Sequence, residues 1–287
     1  MKNCCLCLVV LSALAVGLVG CEFLLPIAAN SQPLDLYGKV VDQNGDPVSD
    51  AKVRGHVLLA YGYTSANQDY YTETDHRGRF KFVDLHGVSL FATPEKPGYE
   101  YDSRLPTNWS KNYKPDPDHP MIFNMWKLRG PEPMLHAKFD SRVPYDGTSV
   151  TFGLLNGKKG DTGDLEVTLL RNPQRIIRGQ ERYDWNLQIA VIGGGLSEAT
   201  GLYYNLAPEM GYESIFTFVL TKDDAHWTPE LARTFYIHTR TGTYGRVTID
   251  LVTYSERPDT GITIEAYINP NGSRNLEFDS TKQVKPQ

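Results

Sequence analysis

The chain has 287 residues, with 29 Lys and Arg against 34 Asp and Glu, a formal charge of −5 and 40% hydrophobic residues. This acidic balance excludes a general nucleic-acid binder, which needs a basic surface to neutralise phosphates. All four cysteines, Cys4, Cys5, Cys7 and Cys21, lie near the amino terminus. The rest of the chain therefore has neither a disulfide nor a thiolate metal site, and its stability must come from hydrophobic cores.

The apolar run from Leu6 to Val19 follows Lys2 and Asn3 and ends among small residues. It is shorter than the ~20 residues of a spanning helix and has the layout of a secretory signal. Its end, Leu18-Val19-Gly20-Cys21, resembles the lipobox of bacterial lipoproteins. The resemblance implies cleavage before Cys21, acylation of its thiol and of the new amino terminus, and a lipid-anchored protein of the cell envelope. Glu22 stands where Asp favours inner-membrane retention in some bacteria, which points to the outer membrane. Each buried CH₂ of an acyl chain contributes ~0.8 kcal/mol, so several chains hold where one does not. The alternative is an ordinary signal peptide cut nearby. Residues 1–20 are thus read as a signal peptide and 21–33 as a tether without periodicity.

From Leu34 the pattern becomes that of strands. Leu36, Gly38 and Val40 share one face, and Asp42-Gln43-Asn44-Gly45-Asp46-Pro47 is a dense turn signal. Val48, Ala51 and Val53 open the next strand. Thr74-Asp75-His76-Arg77-Gly78 then leads through a tight turn into Phe80 and Phe82. The two motifs, Gly38-x-Val40-x-Asp42-x-x-Gly45-x-Pro47-Val48-x-x-Ala51-x-Val53 and Thr74-Asp75-x-x-Gly78-x-Phe80-x-Phe82, resemble the carboxypeptidase regulatory-like domain. The resemblance implies a transthyretin-like (prealbumin-like) Greek-key β-sandwich over residues 34–129, with an accessory role and no catalytic residues. Between the motifs, Tyr61, Tyr63, Tyr70 and Tyr71 predict a long tyrosine-rich hairpin at one end of the sandwich, its polar spacers implying a loop. The proline-rich stretch 93–120 reads as a long loop, and Met121 to Leu128 as a closing strand.

Gly130-Pro131-Glu132-Pro133 is the natural boundary, because proline disfavours strand pairing. Strands are expected at Glu166–Leu170, Tyr183–Ile189, Arg233–His238, Arg246–Leu251 and Ile262–Ile268. Their one-sided alternation predicts antiparallel sheets with one wet face, and hence a second sandwich or jelly roll over residues 132–279. A short helical piece is expected at Thr228–Ala232, with Pro229 at a first helical position. The end of this segment, Tyr267 to Glu277, resembles the close of uncharacterised domains in other bacterial lipoproteins. Residues 280–287 read as a disordered tail.

Motifs of catalysis are weak. Val191-Ile192-Gly193-Gly194-Gly195-Leu196-Ser197-Glu198 resembles a dinucleotide-binding turn, but Glu198 replaces the last glycine and an alternating strand precedes it. It is read as a turn, and no cofactor is expected. No His-Glu-x-x-His or Gly-x-Ser-x-Gly occurs. Asp116, Asp118 and His119 are read as a solvated loop rather than a calcium site, and Asp161 and Asp164 as hairpin turn chemistry. Aromatic rings among polar neighbours suit sugar stacking or protein contact. The candidate ligand-binding residues are therefore Tyr61, Tyr63, Tyr70, Tyr71 and Trp227, with Cys21 as the lipidation site and no metal ligands. The expectation is an all-β envelope lipoprotein of two antiparallel sandwiches. It would be held to the membrane by its lipid and act without catalysis as a binding or scaffold module for a glycan or an envelope protein. A purely structural role is the alternative. A third reading is a carbohydrate or ester hydrolase in the second domain, with Glu166, Asp184, Glu198 and Glu213 as its carboxylates.

Overall fold

The computed structural model describes residues 33–61, 64–102, 114–160, 163–172 and 182–285. The leader, Cys21, Tyr63 and Asp161 lie outside these residues. The chain is all-β and divides into two compact units between Leu128 and Arg129.

In the first unit the strands are β1 (Leu36–Val41), β2 (Lys52–Tyr61), β3 (Thr64–Glu73), β4 (Arg79–Phe82), β5 (Ser89–Glu95), β6 (Tyr99–Glu100), β7 (Met121–Asn124) and β8 (Trp126–Lys127). Two three-stranded sheets, ordered β4-β1-β7 and β3-β2-β5, enclose one core, and β6 pairs with β8. Leu36, Val40, Phe80, Phe82 and Phe123 from the first sheet meet Val53, Val57, Leu90 and Ala92 from the second. Gly55 faces this core so closely that a Cβ there would lie 2.7 Å from the Phe82 ring. The closing strand β7 departs from the antiparallel expectation. It runs parallel to β1, with Val40 opposite Phe123.

The turn motifs are built into this frame. The Asp42 carboxylate accepts the amides of Asn44 and Asp46, which folds the chain back before Pro47. Buried Thr74 accepts the Ala51 amide and donates to the Val48 carbonyl, tying two loops together. Asp75 accepts the amides of Arg77 and Arg79, and Gly78 takes the positive φ of 72° that the turn requires. The motif residues thus make turns and core.

The tyrosine-rich stretch is a hairpin, as expected, but it is regular strand rather than loop. It forms β3, an edge strand paired with β2 along its whole length, from Lys52–Glu73 to Tyr61–Thr64. Polar spacers suit an edge strand whose side chains are wet on both faces, so composition alone could not separate the two.

The second unit contains β9 (Met134–Pro144), β10 (Val150–Gly153), β11 (Lys158–Lys159), β12 (Leu165–Asn172), β13 (Asp184–Val191), β14 (Gly195–Glu198), β15 (Ile215–Leu220), β16 (Glu230–His238), β17 (Tyr244–Val252), β18 (Asp259–Asn269) and β19 (Gln283–Val284). It is a sandwich of a five-stranded sheet, β11-β10-β12-β13-β15, and a six-stranded sheet, β14-β16-β17-β18-β9-β19. Leu165, Val167, Leu169, Trp185, Leu187 and Ile189 of the first sheet share a core with Phe235, Ile237, Val247, Ile249, Ile262 and Ile264 of the second. The alternation read in the sequence is this inward face.

Two expectations are corrected. Thr228–Ala232 is not helical. Glu230 already begins β16, and Pro229 serves through its carbonyl, which accepts the Thr253 amide and hydroxyl. The tail is ordered through residue 285. Ser280–Lys282 forms a 3₁₀ turn capped by Asp279, and β19 pairs parallel with β9 at Met134 and Leu135. These few polar residues are ordered by a sheet edge distant in sequence, which no local signal announces. Among the described residues no helix is long and apolar enough to cross a membrane.

Candidate functional site

The outward face of the six-stranded sheet is covered at one end and open at the other. Toward the covered end, Tyr236, Arg246, Tyr267 and His136 stand in one row across four strands. His136 stacks on Tyr267 at 4.6 Å, Phe278 packs against both, and the Arg246 guanidinium lies 4.8 Å from the Tyr267 ring centre. Met134, Ala207 and Leu276 complete a small second core here. Glu265 accepts from the Tyr267 hydroxyl at 2.9 Å and bonds His136 Nε2 at 2.9 Å. Burial pushes its carboxyl up, but the bonds from His136 and Tyr267 outweigh that and hold it below the usual range.

At the open end lies a depression of about 860 Å³. One register row, Ala232–Asp250–Thr263–Asp140, crosses its floor, flanked by the pairs Glu230–Val252 and Gly261–Arg142. Four strands at about 4.8 Å spacing make it about 14 Å wide. Gly261, on the inner strand β18, leaves it open, since an added Cβ there would meet nothing within 4 Å, and Ala232 adds a small side chain on β16, an outer one of the four strands.

The polar groups around this floor are held in place. The Thr263 hydroxyl bonds Asp140 Oδ1 at 3.0 Å. Arg142 pairs with Asp259 at 2.7 Å, which raises the guanidinium pKa and lowers that of the carboxyl. Lys159 Nζ donates to the Ser141 hydroxyl at 2.7 Å. Tyr254, 56% exposed, stands on the rim with Ser255 and Arg257.

That rim is the loop between β17 and β18, and it rests on a buried cation. Arg171 points inward from β12 and is 1% exposed. Its guanidinium lies 3.5 Å from the Tyr145 ring centre and 5.3 Å from that of Tyr183. Nη1 donates to the carbonyls of Thr253 at 2.5 Å and Ser255 at 3.0 Å. The Tyr145 hydroxyl also donates to the Thr253 carbonyl, at 2.7 Å, and the Thr253 hydroxyl shares a bond with that of Tyr183. Burial pushes the Arg171 pKa down, yet a guanidinium stays charged in proteins. Taking the cation out of water is costly, and carbonyl dipoles and ring faces offset that cost.

The predicted ligand residues belong to both units. Tyr70 and Tyr71 lie on β3 of the first unit, Tyr70 half-buried against the core and Tyr71 57% exposed under Lys52 Nζ at 4.4 Å. Tyr61 ends β2, with its backbone alone described. Trp227, in the second unit, is a packing residue. Its ring meets Tyr183 edge-on at 5.1 Å, and its Nε1 donates to the Tyr183 carbonyl at 2.8 Å.

The four carboxylates considered for hydrolysis do not make one set either. On the β12–β13 ladder Glu166 lies opposite Ala190, whereas Asp184 lies opposite Asn172 at the far end and accepts the Lys222 amide. Glu198 is paired with Arg233 at 3.2 Å, and Glu213 sits in a loop bridged to Leu196. The glycine run 193–195 is a tight turn from β13 into β14, with φ of 69° at Gly193. Asp116 accepts the amides of Asp118 and His119 in an exposed loop, and Asp164 caps Leu155. Among the described residues no three acidic, histidine or cysteine side chains converge as a metal set.

Sequence reasoning missed Asp140, Asp250, Tyr254, Gly261 and Arg171. Two left a trace. Arg171 occupies an inward position in the run Leu165, Val167, Leu169, and Gly261 interrupts the outward face of β18. The others join only through cross-strand register. No family model and no curated protein matches the chain.

Proposed function

We propose that the chain is a non-catalytic binding module of the bacterial cell envelope, tethered through an acylated Cys21, and that its second unit takes a glycan in the open depression. The supporting observation is the composition and shape of that depression. Planar acceptors (Asp140, Asp250, Glu230), a guanidinium (Arg142) and hydroxyls (Thr263, Ser255) surround a glycine floor below an exposed tyrosine. Polyhydroxylated ligands need such a mixture, since each hydroxyl both donates and accepts while a ring face stacks on an aromatic. The first unit, resembling a carboxypeptidase regulatory-like domain, serves as the spacer between lipid and site.

A protein partner is favoured by a different observation. β3 is a ten-residue edge strand, exposed along most of its length, and such an edge accepts an added strand.

The test is a glycan array probed with the mature chain extracted in mild detergent. Binding that disappears in Gly261→Ile, a substitution that fills the floor into open space, would establish the site. A clean negative from folded protein moves the reading to a protein partner or a structural role. The anchor is tested apart. Cys21→Ala releases the protein from membrane pellets and removes label from cells fed a tagged fatty acid. Retention of the variant in the pellet, with no label on the wild type, removes the anchor.

A further inference from the structure

We infer that Arg171 is a positioning residue, the buried post that sets the rim of the depression in its binding geometry. This rests on the reading that the depression binds a glycan. Three donors converge under the rim from inside the sandwich. Arg171 reaches the carbonyls of both Thr253 and Ser255, the Tyr145 hydroxyl reaches Thr253, and the Tyr183 hydroxyl bonds the Thr253 side chain. The loop is also tied at its flanks. Thr253 bonds the Pro229 carbonyl through its amide and hydroxyl, the Tyr145 amide donates to the Pro258 carbonyl, and the Thr260 hydroxyl donates to the Val252 carbonyl. The Arg171 amide in turn donates to the Tyr145 carbonyl, so cation and ring move as one unit.

The rim residue Tyr254 lies between the tied residues Thr253 and Ser255, and Arg257 follows in a bend where its amide donates to the Ser255 hydroxyl. In an extended stretch, fastening Thr253 and Ser255 from below aims Tyr254 outward. A methionine or leucine at 171 would fill the core as well as an arginine, because buried charges are commonly replaceable by apolar groups without loss of stability. What an apolar side chain cannot do is hold two loop carbonyls, on either side of Tyr254. The cation therefore acts on the conformation of residues 253–258, and through Tyr254 and Arg257 on affinity. Pre-ordering a binding loop raises affinity by lowering the entropy lost on binding.

The experiment compares the mature wild-type chain with Arg171→Met and Arg171→Lys by amide hydrogen exchange without ligand, then by binding to an immobilised oligosaccharide panel. In Arg171→Met we expect amide exchange at residues 254–257 to rise roughly tenfold and binding to weaken roughly tenfold or more, the effect of losing charge-assisted hydrogen bonds. Protection of β12, β13, β16 and β17 should hold. Arg171→Lys, which keeps the charge but not the fork or the stacked plane, should fall between. Should Arg171→Met fail to fold, Tyr145→Phe keeps the ring and removes one donor, and should loosen the same residues to a smaller degree. Unchanged exchange at 254–257 overturns the inference whatever the panel shows. Loosened exchange with unchanged binding overturns it too, because the loop would then be held for stability alone. A wild type that binds nothing on the panel removes the glycan reading and this role with it, although the exchange data would still show the post.

Discussion

Trp227 shows how much a residue's meaning depends on its neighbours. Its indole is half-buried edge-on to Tyr183 and donates to a backbone carbonyl, and the Nε1 of Trp185 donates in turn to the carbonyl of the next residue, Thr228. The two indoles thus stitch the segment before β16 to the start of β13. Trp227→Ala should cost about 2–3 kcal/mol, below the range for a fully buried tryptophan because part of the ring is wet. A urea midpoint shift checks this. Binding at the depression should survive in the fraction that remains folded, since Trp227 does not line it. Tyr254, not Trp227, is the aromatic to remove when the ligand site is tested. Arg171 carries the same lesson in reverse. A charged residue at an inward strand position looks like an error in the pattern until the rings and carbonyls that receive it are placed around it.

At the scale of elements, the six-stranded sheet is differentiated along its length. One end of its outward face is roofed by Ala207, Leu276 and Phe278, and the other is left as a hollow. The roof depends on Glu265, which ties His136 to Tyr267 across β9 and β18. Its carboxyl is held below the ordinary value of 4.5, so its contribution is present above that pH and is lost as pH falls through the lower folded-state value. Glu265→Gln should therefore lower the urea midpoint at neutral pH and have little effect at pH well below the carboxylate range. Equal destabilisation at both pH values would show that the charge is irrelevant. The edge strands differ in the same graded way. β19 closes the edge beyond β9 with two residues, while β3 leaves a long polar edge unpaired within its sheet.

At the scale of the molecule, each unit has its own core. Leu36 to Met125 supply one and Leu135 to Ile268 the other. A fragment of residues 129–287 should therefore fold alone with a single cooperative transition, read by matching circular-dichroism and tryptophan-fluorescence curves. Whatever oligosaccharide binding the whole chain has under the proposed function should be retained by it, because every residue lining the depression lies within it. Loss of such binding in a folded fragment would show that the depression is not the site.

The sequence by itself determined that the chain is all-β, where about half of its strands run, and which of their faces turn inward. Period-two alternation is a local property, and burying one face follows from it directly. Asp42, Gly45, Thr74, Asp75 and Gly78 were legible as turns because their chemistry acts on amides within a few residues. Only the tertiary structure decided the register that sets Asp140 beside Thr263 and Gly261 beside Arg142, the parallel pairing of β7 and β19, and the convergence of Arg171, Tyr145 and Tyr183 beneath one loop. These contacts join residues tens of positions apart. Strand pairing slides in steps that local sequence does not distinguish, and it is the packing of both sheets on a common core that selects one register.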